Sequence, residues 1–377
     1  MLLLGILSSA FLAKPASAAF GDFGIPASHA TVDVRMFNVG TIFATTGAST
    51  FIHPVLPGHE NASSPMYSFL LEHGASGQRL MFDLGLRKDP QNLAPILAAQ
   101  IATGLFQLDE PKDITEMLQE GGIALETIDT VIWSHAHLDH FGDMSKFPNT
   151  TGLVIGSETD TSTFPENPNG TLQTSDFAGR TVTKIDFATA NLTFSGLKAI
   201  DYFNDGSLYL LNTPGHLPGH LTALARVTPS SFVVLGGDTF HHAGEARPRP
   251  AFQKNFPCPA HLLEETRTSI STDFFWSPRS RVGEFDLPSR AQQLLAVADI
   301  PGSVYADPVA SQVSLEKVAT LDADADFLVI VAHDLSIAKA LPFFPASLNS
   351  WNAHGLKAGT VWNFVDKANP AFVFSPA

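Results

Sequence analysis

The chain has 377 residues, 44% of them hydrophobic, with 22 basic against 37 acidic side chains and a formal charge of −15. That length suits one large α/β domain or two ordinary ones, and the composition excludes a disordered or fibrous chain. The longest basic stretch is Arg247-Pro248-Arg249, too short to neutralise a phosphate backbone, so a nucleic-acid partner is excluded.

Residues 1–13 are apolar and Ala16-Ser17-Ala18 has the form of a signal-peptidase site. Residues 1–18 are therefore expected to be a cleaved signal on a secreted protein. The basic residues that normally open a signal are missing, and without cleavage the protein would be cytoplasmic. Sequons at Asn61, Asn149, Asn169 and Asn191 permit secretion. No later stretch is apolar and long enough to span a bilayer. The single cysteine, Cys258 between two prolines, excludes an intrachain disulfide and reads as part of a packed loop.

Residues 31–45 alternate in polarity and predict a first strand. Residues 47–65 hold three prolines and read as a loop insertion. Residues 66–72 and 79–82 predict a hairpin, closed by Asp83-Leu84-Gly85. Helical spacing follows over 91–105 and 111–121, ending at Gly104 and Gly121-Gly122. Strands are predicted at 130–134, 152–156, 181–187, 192–194, 208–211, 232–235 and 327–331. A second insertion, 240–285, is rich in proline and aromatics. Helices are predicted at 288–297 and 308–321. Strands and helices come in blocks rather than in strict βαβ alternation, so the fold class is α/β with two mixed sheets and helices outside.

The run Ser134-His135-Ala136-His137-Leu138-Asp139-His140 follows the strand at 130–134 directly. Several neutral imidazoles packed together would each need a hydrogen-bond partner, and a metal satisfies them at once. In extended chain, residues two apart point the same way, so His135 and His137 can share one ion. Asp139 and His140 follow where the chain turns and can serve a second. Three later strands also run straight into ligand chemistry. One meets Thr213-Pro214-Gly215-His216-Leu217-Pro218-Gly219-His220, one Gly236-Gly237-Asp238, and one Ala332-His333-Asp334. Imidazole suits zinc and iron, and a carboxylate is an ordinary partner in such sites.

At these residues the chain resembles the metallo-β-lactamase superfamily, whose pattern His-X-His-X-Asp-His stands here as His135 to His140. The resemblance implies a four-layered αββα sandwich with metals at one edge between the sheets. It covers a domain over residues 31–340, interrupted near 47–65 and 240–285, with 341–377 as a C-terminal extension packed on it. Within the superfamily the chain is most similar to the N-acyl homoserine lactonase-like branch and to lactonase- and lactamase-type proteins of fungal metabolite or detoxification clusters. The resemblance implies two zinc ions. His135, His137 and His216 would hold one, Asp139, His140 and His333 the other, and Asp238 would bridge them. His220 would orient its loop.

The activity so implied is hydrolysis of a small cyclic ester or amide by metal-bound hydroxide, with Asp139 also holding and deprotonating the attacking water. The lactonase pattern has a tyrosine three residues after the bridging aspartate, and this chain has His241. That departure counts against acyl homoserine lactones as the substrate. His241, or His242, can donate a proton to the leaving group, or it is a packing histidine. The insertion at 240–285 leaves directly from Asp238, which puts it over the metal mouth. Its aromatics would line an apolar pocket there or anchor the loop as a small satellite core. A thioesterase releasing a metabolite acid and a mono-iron persulfide dioxygenase are the competing readings.

Overall fold

Alternation with a period of two decides the layers. In the strand Val32–Ala44, Val32, Val34 and Met36 face one way while Phe37 and Val39 face the other. The same split recurs in Arg79–Phe82, where Leu80 and Phe82 oppose Met81, and in Ser231–Leu235, where Val233 and Leu235 oppose Phe232 and Val234. Each sheet is thus apolar on both faces and must be covered on both.

The computed structural model describes residues 19–377, apart from Leu105, Glu110, Pro111 and Pro278. The expected signal, residues 1–18, lies outside them. Among the described residues a seven-stranded sheet runs in the order Val182–Ile185, Gly152–Gly156, Thr130–Ile132, Arg79–Phe82, Ala62–His73, Val32–Ala44, Phe106–Asp109. A six-stranded sheet follows the order Leu192–Phe194, Leu197–Asp201, Leu208–Asn212, Leu221–Thr228, Ser231–Leu235, Phe327–Ile330. Their inner faces meet in one core that joins Phe69, Phe82 and Ile132 to Leu210, Ala223 and Val233. The outer face of the first sheet packs on the helices Pro95–Ala102 and Ile114–Glu120, and that of the second on Pro308–Asp322. This is the αββα sandwich.

Local chemistry sets the helix ends. Asp113 accepts from the N–H groups of Thr115 and Glu116, and Glu116 reaches back to the Asp113 N–H, a complete capping box. Asp307 caps the helix Pro308–Asp322, and Pro308 stands where its missing N–H costs nothing.

Several elements differ from the sequence reading. Residues 288–297 are not a helix. A single turn, Leu287–Ser289, leads to a short strand, Ala296–Val297, paired with Ile52–His53. Leu294 and Leu295 give their N–H groups to Arg247 and Gly244, so distant partners override the local spacing. The segment 47–65 is not all loop: the strand Ala62–His73 begins inside it, and Pro65 is tolerated at the bulge where the register with Val32–Ala44 shifts. The first predicted helix ends early, and Phe106–Asp109 forms an edge strand.

Of the described residues of 240–285, His241 alone lines the cavity that opens on the cluster. Phe252, Phe256 and Phe275 pack with Trp362, Phe364 and Phe374 in a separate core. The anchoring alternative is the one the packing supports.

Candidate metal centre

Five strand ends point at one place. Arg79–Phe82 ends at Asp83, Thr130–Ile132 at Ser134 and His135, Leu208–Asn212 at the loop carrying His216, Ser231–Leu235 at Asp238, and Phe327–Ile330 at His333. The last three strands run in the same direction, because Ser231–Leu235 is parallel to Phe327–Ile330 and two antiparallel steps separate it from Leu208–Asn212. The loop bearing His216 is pinned by the N–H groups of Ala306 and Asp307, which donate to His216 and Gly215.

The ligand atoms fall into two groups. His135 Nε2, His137 Nδ1 and His216 Nε2 lie 2.9–3.1 Å from one another. Asp139 Oδ2 lies 3.2 Å from His333 Nε2 and 3.6 Å from His140 Nε2. Asp238 stands between the groups. Its Oδ2 is 3.2 Å from His216 Nε2 and 3.6 Å from His135 Nε2, while its Oδ1 is 3.2 Å from both His140 Nε2 and His333 Nε2.

The residues around these groups fix which ring nitrogen is available. Asp83 accepts from the Ser134 N–H at 2.6 Å and the Ser134 hydroxyl at 2.7 Å, and its Oδ2 is 2.9 Å from His140 Nδ1. The Pro65 carbonyl accepts from His333 Nδ1 at 2.7 Å. Both rings therefore present Nε2 to the centre. His220 does not join the cluster. Its Nε2 accepts from the Asp238 N–H at 3.0 Å and its Nδ1 meets Thr213 Oγ1 at 2.9 Å, so it holds the backbone of Asp238. Gly237 is required beside it: φ is +51°, and a Cβ would stand 2.8 Å from that of Ser134.

Burial acts on every group here. It pushes His135 and His216 well below the usual imidazole range, His137 to about 4 and His220 to about 3. Burial also opposes charge on His333 and His140, but Asp238 and Asp139 outweigh it, joined by Asp83 at His140. They raise His333 to about 10 and hold His140 well above the ordinary value. His140 Nε2 and Asp238 Oδ1 face each other at 3.2 Å without the geometry of an ordinary hydrogen bond, and His216 Nδ1 is buried without a partner among the described residues. Three neutral imidazoles crowding one point, beside two buried carboxylates, fit a cation rather than a self-satisfied polar cluster. The cluster can bind metal.

His241 also reaches the centre. Its Nε2 is 3.2 Å from Asp238 Oδ2, and its ring stacks on His333 with centroids 5.4 Å apart. His242 points away: its Nε2 meets the Ala371 carbonyl at 2.7 Å and its Nδ1 accepts from the Gly244 N–H. The sequence reading missed Tyr305, Glu245 and Asp83. Tyr305 Oη lies 2.7 Å from His241 Nδ1 and 3.1 Å from Glu245 Oε1. Asp83, an acid at a strand end, carried the same signal as Asp238. Tyr305 carried none, because it meets His241 across 64 residues.

A cavity of about 320 Å³ opens on the cluster. Its apolar wall is Ile42, Leu97, Ile101, Phe106 and Leu108, and its floor holds His137, Asp139, Asp238 and His333. Cys258 is remote from these groups, and burial pushes its thiol up to about 12, which leaves it unreactive.

An αββα sandwich with a histidine–aspartate metal cradle at the strand ends defines a metal-dependent hydrolase. The chain belongs to the metallo-beta-lactamase superfamily, whose family model matches residues 65–325. The metallo-hydrolase mfmC of Annulohypoxylon moriforme is 36% identical over 357 residues, 92% of this chain and 90% of that protein. The gamma-lactamase FDB1 of Fusarium pseudograminearum is 33% identical over 356 residues, 92% of this chain and 84% of that protein. The cytochrome P450 monooxygenase mpaDE' of Penicillium brevicompactum is 35% identical over 352 residues, 90% of this chain but 38% of that longer protein. An N-acyl homoserine lactone hydrolase, solved with N-hexanoyl-L-homoserine at its catalytic metal center, shares the fold. It has a TM-score of 0.53 and 16% identity, over 84% of this chain and 99% of that one.

Proposed function

We propose that this chain is a dizinc hydrolase that opens a small cyclic ester or amide. One observation carries the reading: the two oxygens of Asp238 face two separate sets of ligand atoms, one of three imidazoles and one of Asp139, His140 and His333. The names of the gamma-lactamase relative and of the lactone hydrolase that shares the fold agree with it. Two divalent ions held by these residues would supply a water of lowered pKa and a Lewis acid for the carbonyl.

The protein's own residues do the rest. The apolar wall takes the body of the substrate and excludes water, leaving the carbonyl over the floor. Asp139, the most open of the acidic ligands with 14% side-chain exposure, uses the oxygen turned from His333 to orient the attacking water and accept its proton. His241, at the cavity floor beside Asp238, donates to the departing oxygen or nitrogen.

The test is metal content by elemental mass spectrometry on protein purified without chelator, followed by a panel of lactones, lactams and thioesters. Near two zinc per chain with ring opening is the expected result. One iron per chain with persulfide oxidation would overturn it, and turnover of thioesters alone would make the protein a thioesterase. Asp139→Asn should lose turnover; unchanged turnover and metal content would refute its role.

A further inference from the structure

His241 does not stand alone behind the metal cradle. Its Nδ1 faces Tyr305 Oη at 2.7 Å, and Tyr305 Oη faces Glu245 Oε1 at 3.1 Å. The other oxygen, Glu245 Oε2, accepts the N–H groups of both His241 and His242 at 2.7 Å. Glu245 is 0% exposed and Tyr305 3%, so water does not interrupt the chain. The three groups run from the protein interior to the cavity floor. Each contact is short enough to pass a proton.

Counting hydrogens fixes the direction. Tyr305 Oη takes up His241 Nδ1, so Nε2, 3.2 Å from Asp238 Oδ2, is the nitrogen turned to the cavity floor. The Tyr305 hydroxyl donates to Glu245 Oε1 while that carboxyl is ionised. When Glu245 is protonated it donates to the Tyr305 oxygen instead, the Tyr305 hydroxyl turns to His241 Nδ1, and the imidazole hydrogen then sits on Nε2. Burial without a cationic partner keeps the Glu245 proton on, raising this carboxyl to about 8.

We propose that Glu245 and Tyr305 form a buried proton relay behind His241, which positions its ring and resupplies it as donor to an unactivated leaving group. The proposal rests on the hydrolase reading above. As the carbon–oxygen or carbon–nitrogen bond of the ring breaks, its electron pair goes to the departing atom, which takes the hydrogen of His241 Nε2. Nδ1 takes the Tyr305 hydrogen, and Tyr305 takes that of Glu245. The relay ends with a neutral imidazole protonated on Nδ1, a neutral Tyr305 and a Glu245 carboxylate held by two backbone N–H groups. The proton that Asp139 takes from the attacking water is the one that restores Glu245, and the product leaves as its carboxylic acid. Such a relay serves alkoxide or amide departure and is superfluous for leaving groups that are stable as anions. Tyr305 and Glu245 are positioning residues: they act through His241.

The test compares Tyr305→Phe and Glu245→Gln with wild type on an aliphatic γ-lactone and on a p-nitrophenyl ester of the same acyl length. General-acid assistance is worth about 10²–10⁴, so kcat on the lactone should fall at least tenfold while the activated ester changes less than about threefold, at unchanged zinc content. Equal losses on both substrates, or lost zinc, would overturn the relay. If wild type opens neither substrate, the hydrolase reading fails instead. The relay is then decided by nitrogen-15 spectra of metal-free, histidine-labelled protein, with the His241 signal identified by its loss in His241→Gln. A hydrogen on Nε2 that redistributes in Tyr305→Phe supports the relay, and a hydrogen confined to Nδ1 in wild type overturns it.

Discussion

Asp83 touches no position that an ion would occupy, yet Asp83→Asn should weaken one of the two metal positions selectively. In the native protein Asp83 accepts three hydrogens, from the Ser134 N–H, the Ser134 hydroxyl and His140 Nδ1. Asparagine has one oxygen. The short contact to the Ser134 N–H, 2.6 Å, claims it. The amide nitrogen then opposes the His140 Nδ1–H, donor against donor, and the imidazole must move its hydrogen to Nε2. That is the atom 3.2 Å from Asp238 Oδ1, where an ion needs a lone pair. The lost interaction is a hydrogen bond to a charged group, roughly 1.5–3 kcal/mol. At about 1.4 kcal/mol per tenfold this is on the order of 10- to 100-fold in affinity. The cluster of His135, His137 and His216 meets Asp83 only through the Ser134 hydroxyl, 2.9 Å from His135 Nδ1, and its affinity should change far less. Competition against a chromophoric chelator resolves the two binding steps. If both remain within about threefold of wild type in a folded variant, the claim that Asp83 sets the His140 tautomer is refuted.

Glu245 gives a stability prediction with a definite sign. Its folded pKa of about 8 lies above the ordinary 4.5, so its contribution is complete below about pH 4.5 and is lost as pH rises towards 8. The unfolding free energy of wild type minus that of Glu245→Gln should fall by about 1.4 kcal/mol per pH unit across that window; urea melts at pH 6, 7 and 8 check it, and a flat difference sinks it. Arg247 is buried and bidentate to Asp322 at 2.7 and 2.8 Å, and a third donor goes to the Val361 carbonyl. Arg247→Ala should therefore cost about 3–5 kcal/mol in the same melts, and a loss under about 1 kcal/mol would contradict the burial argument. Leu108→Trp adds bulk to the apolar wall of the cavity. It should raise KM for substrates with long apolar bodies by roughly tenfold at constant zinc content, and an unchanged KM would place the substrate elsewhere.

The histidines and aspartates of the centre were legible because rare residue types stand where short apolar runs stop. The run 130–133 ends at His135, 232–235 near Asp238 and 327–331 near His333, and those runs are strands whose ends converge. What was not legible depends on contacts far apart in sequence. Leu221–Thr228 carries Leu, Ala and Arg, residues at home in helices, and is a strand because it is paired on both sides. Residues 288–297 show helical spacing but are drawn straight by Arg247 and Gly244. Phe106–Asp109 is four residues long and, among the described residues, pairs only with Val32–Ala44. The same limit applies to the site. His241 sits three residues after Asp238 and could be found, whereas its partner Tyr305 lies in a loop whose only local signal is a single aromatic. Phe252, Phe256 and Phe275 have their role decided by Trp362, Phe364 and Phe374 nearly a hundred residues on, while Phe274 and Trp276 stay exposed.

The two halves of the cradle should load differently with pH. His333 donates Nδ1–H to the Pro65 carbonyl, and its Nε2 lies 3.2 Å from carboxylate oxygens of both Asp139 and Asp238. A nitrogen facing two acceptors carries a hydrogen, so without metal this ring is an imidazolium. His140 is in the same position, with Asp83 on one side and Asp238 and Asp139 on the other. The upward displacement of both rings, to about 10 for His333, has this cause. His135, His137 and His216 crowd one another; burial outweighs the pull of Asp238, and of Asp139 on His137, and keeps them neutral. An ion entering between those three displaces no proton. One entering at Asp139, His140 and His333 must displace the Nε2 hydrogen of each ring, about two protons. Between pH 7 and 8.5 the tighter step should be nearly independent of pH. The weaker one should strengthen by roughly tenfold to a hundredfold per pH unit, the slopes for one and two protons. Calorimetry in buffers of different ionisation enthalpy counts the protons directly. Proton release shared equally between the two steps would mean that the histidines around Asp238 form one coupled group and not two separable sites.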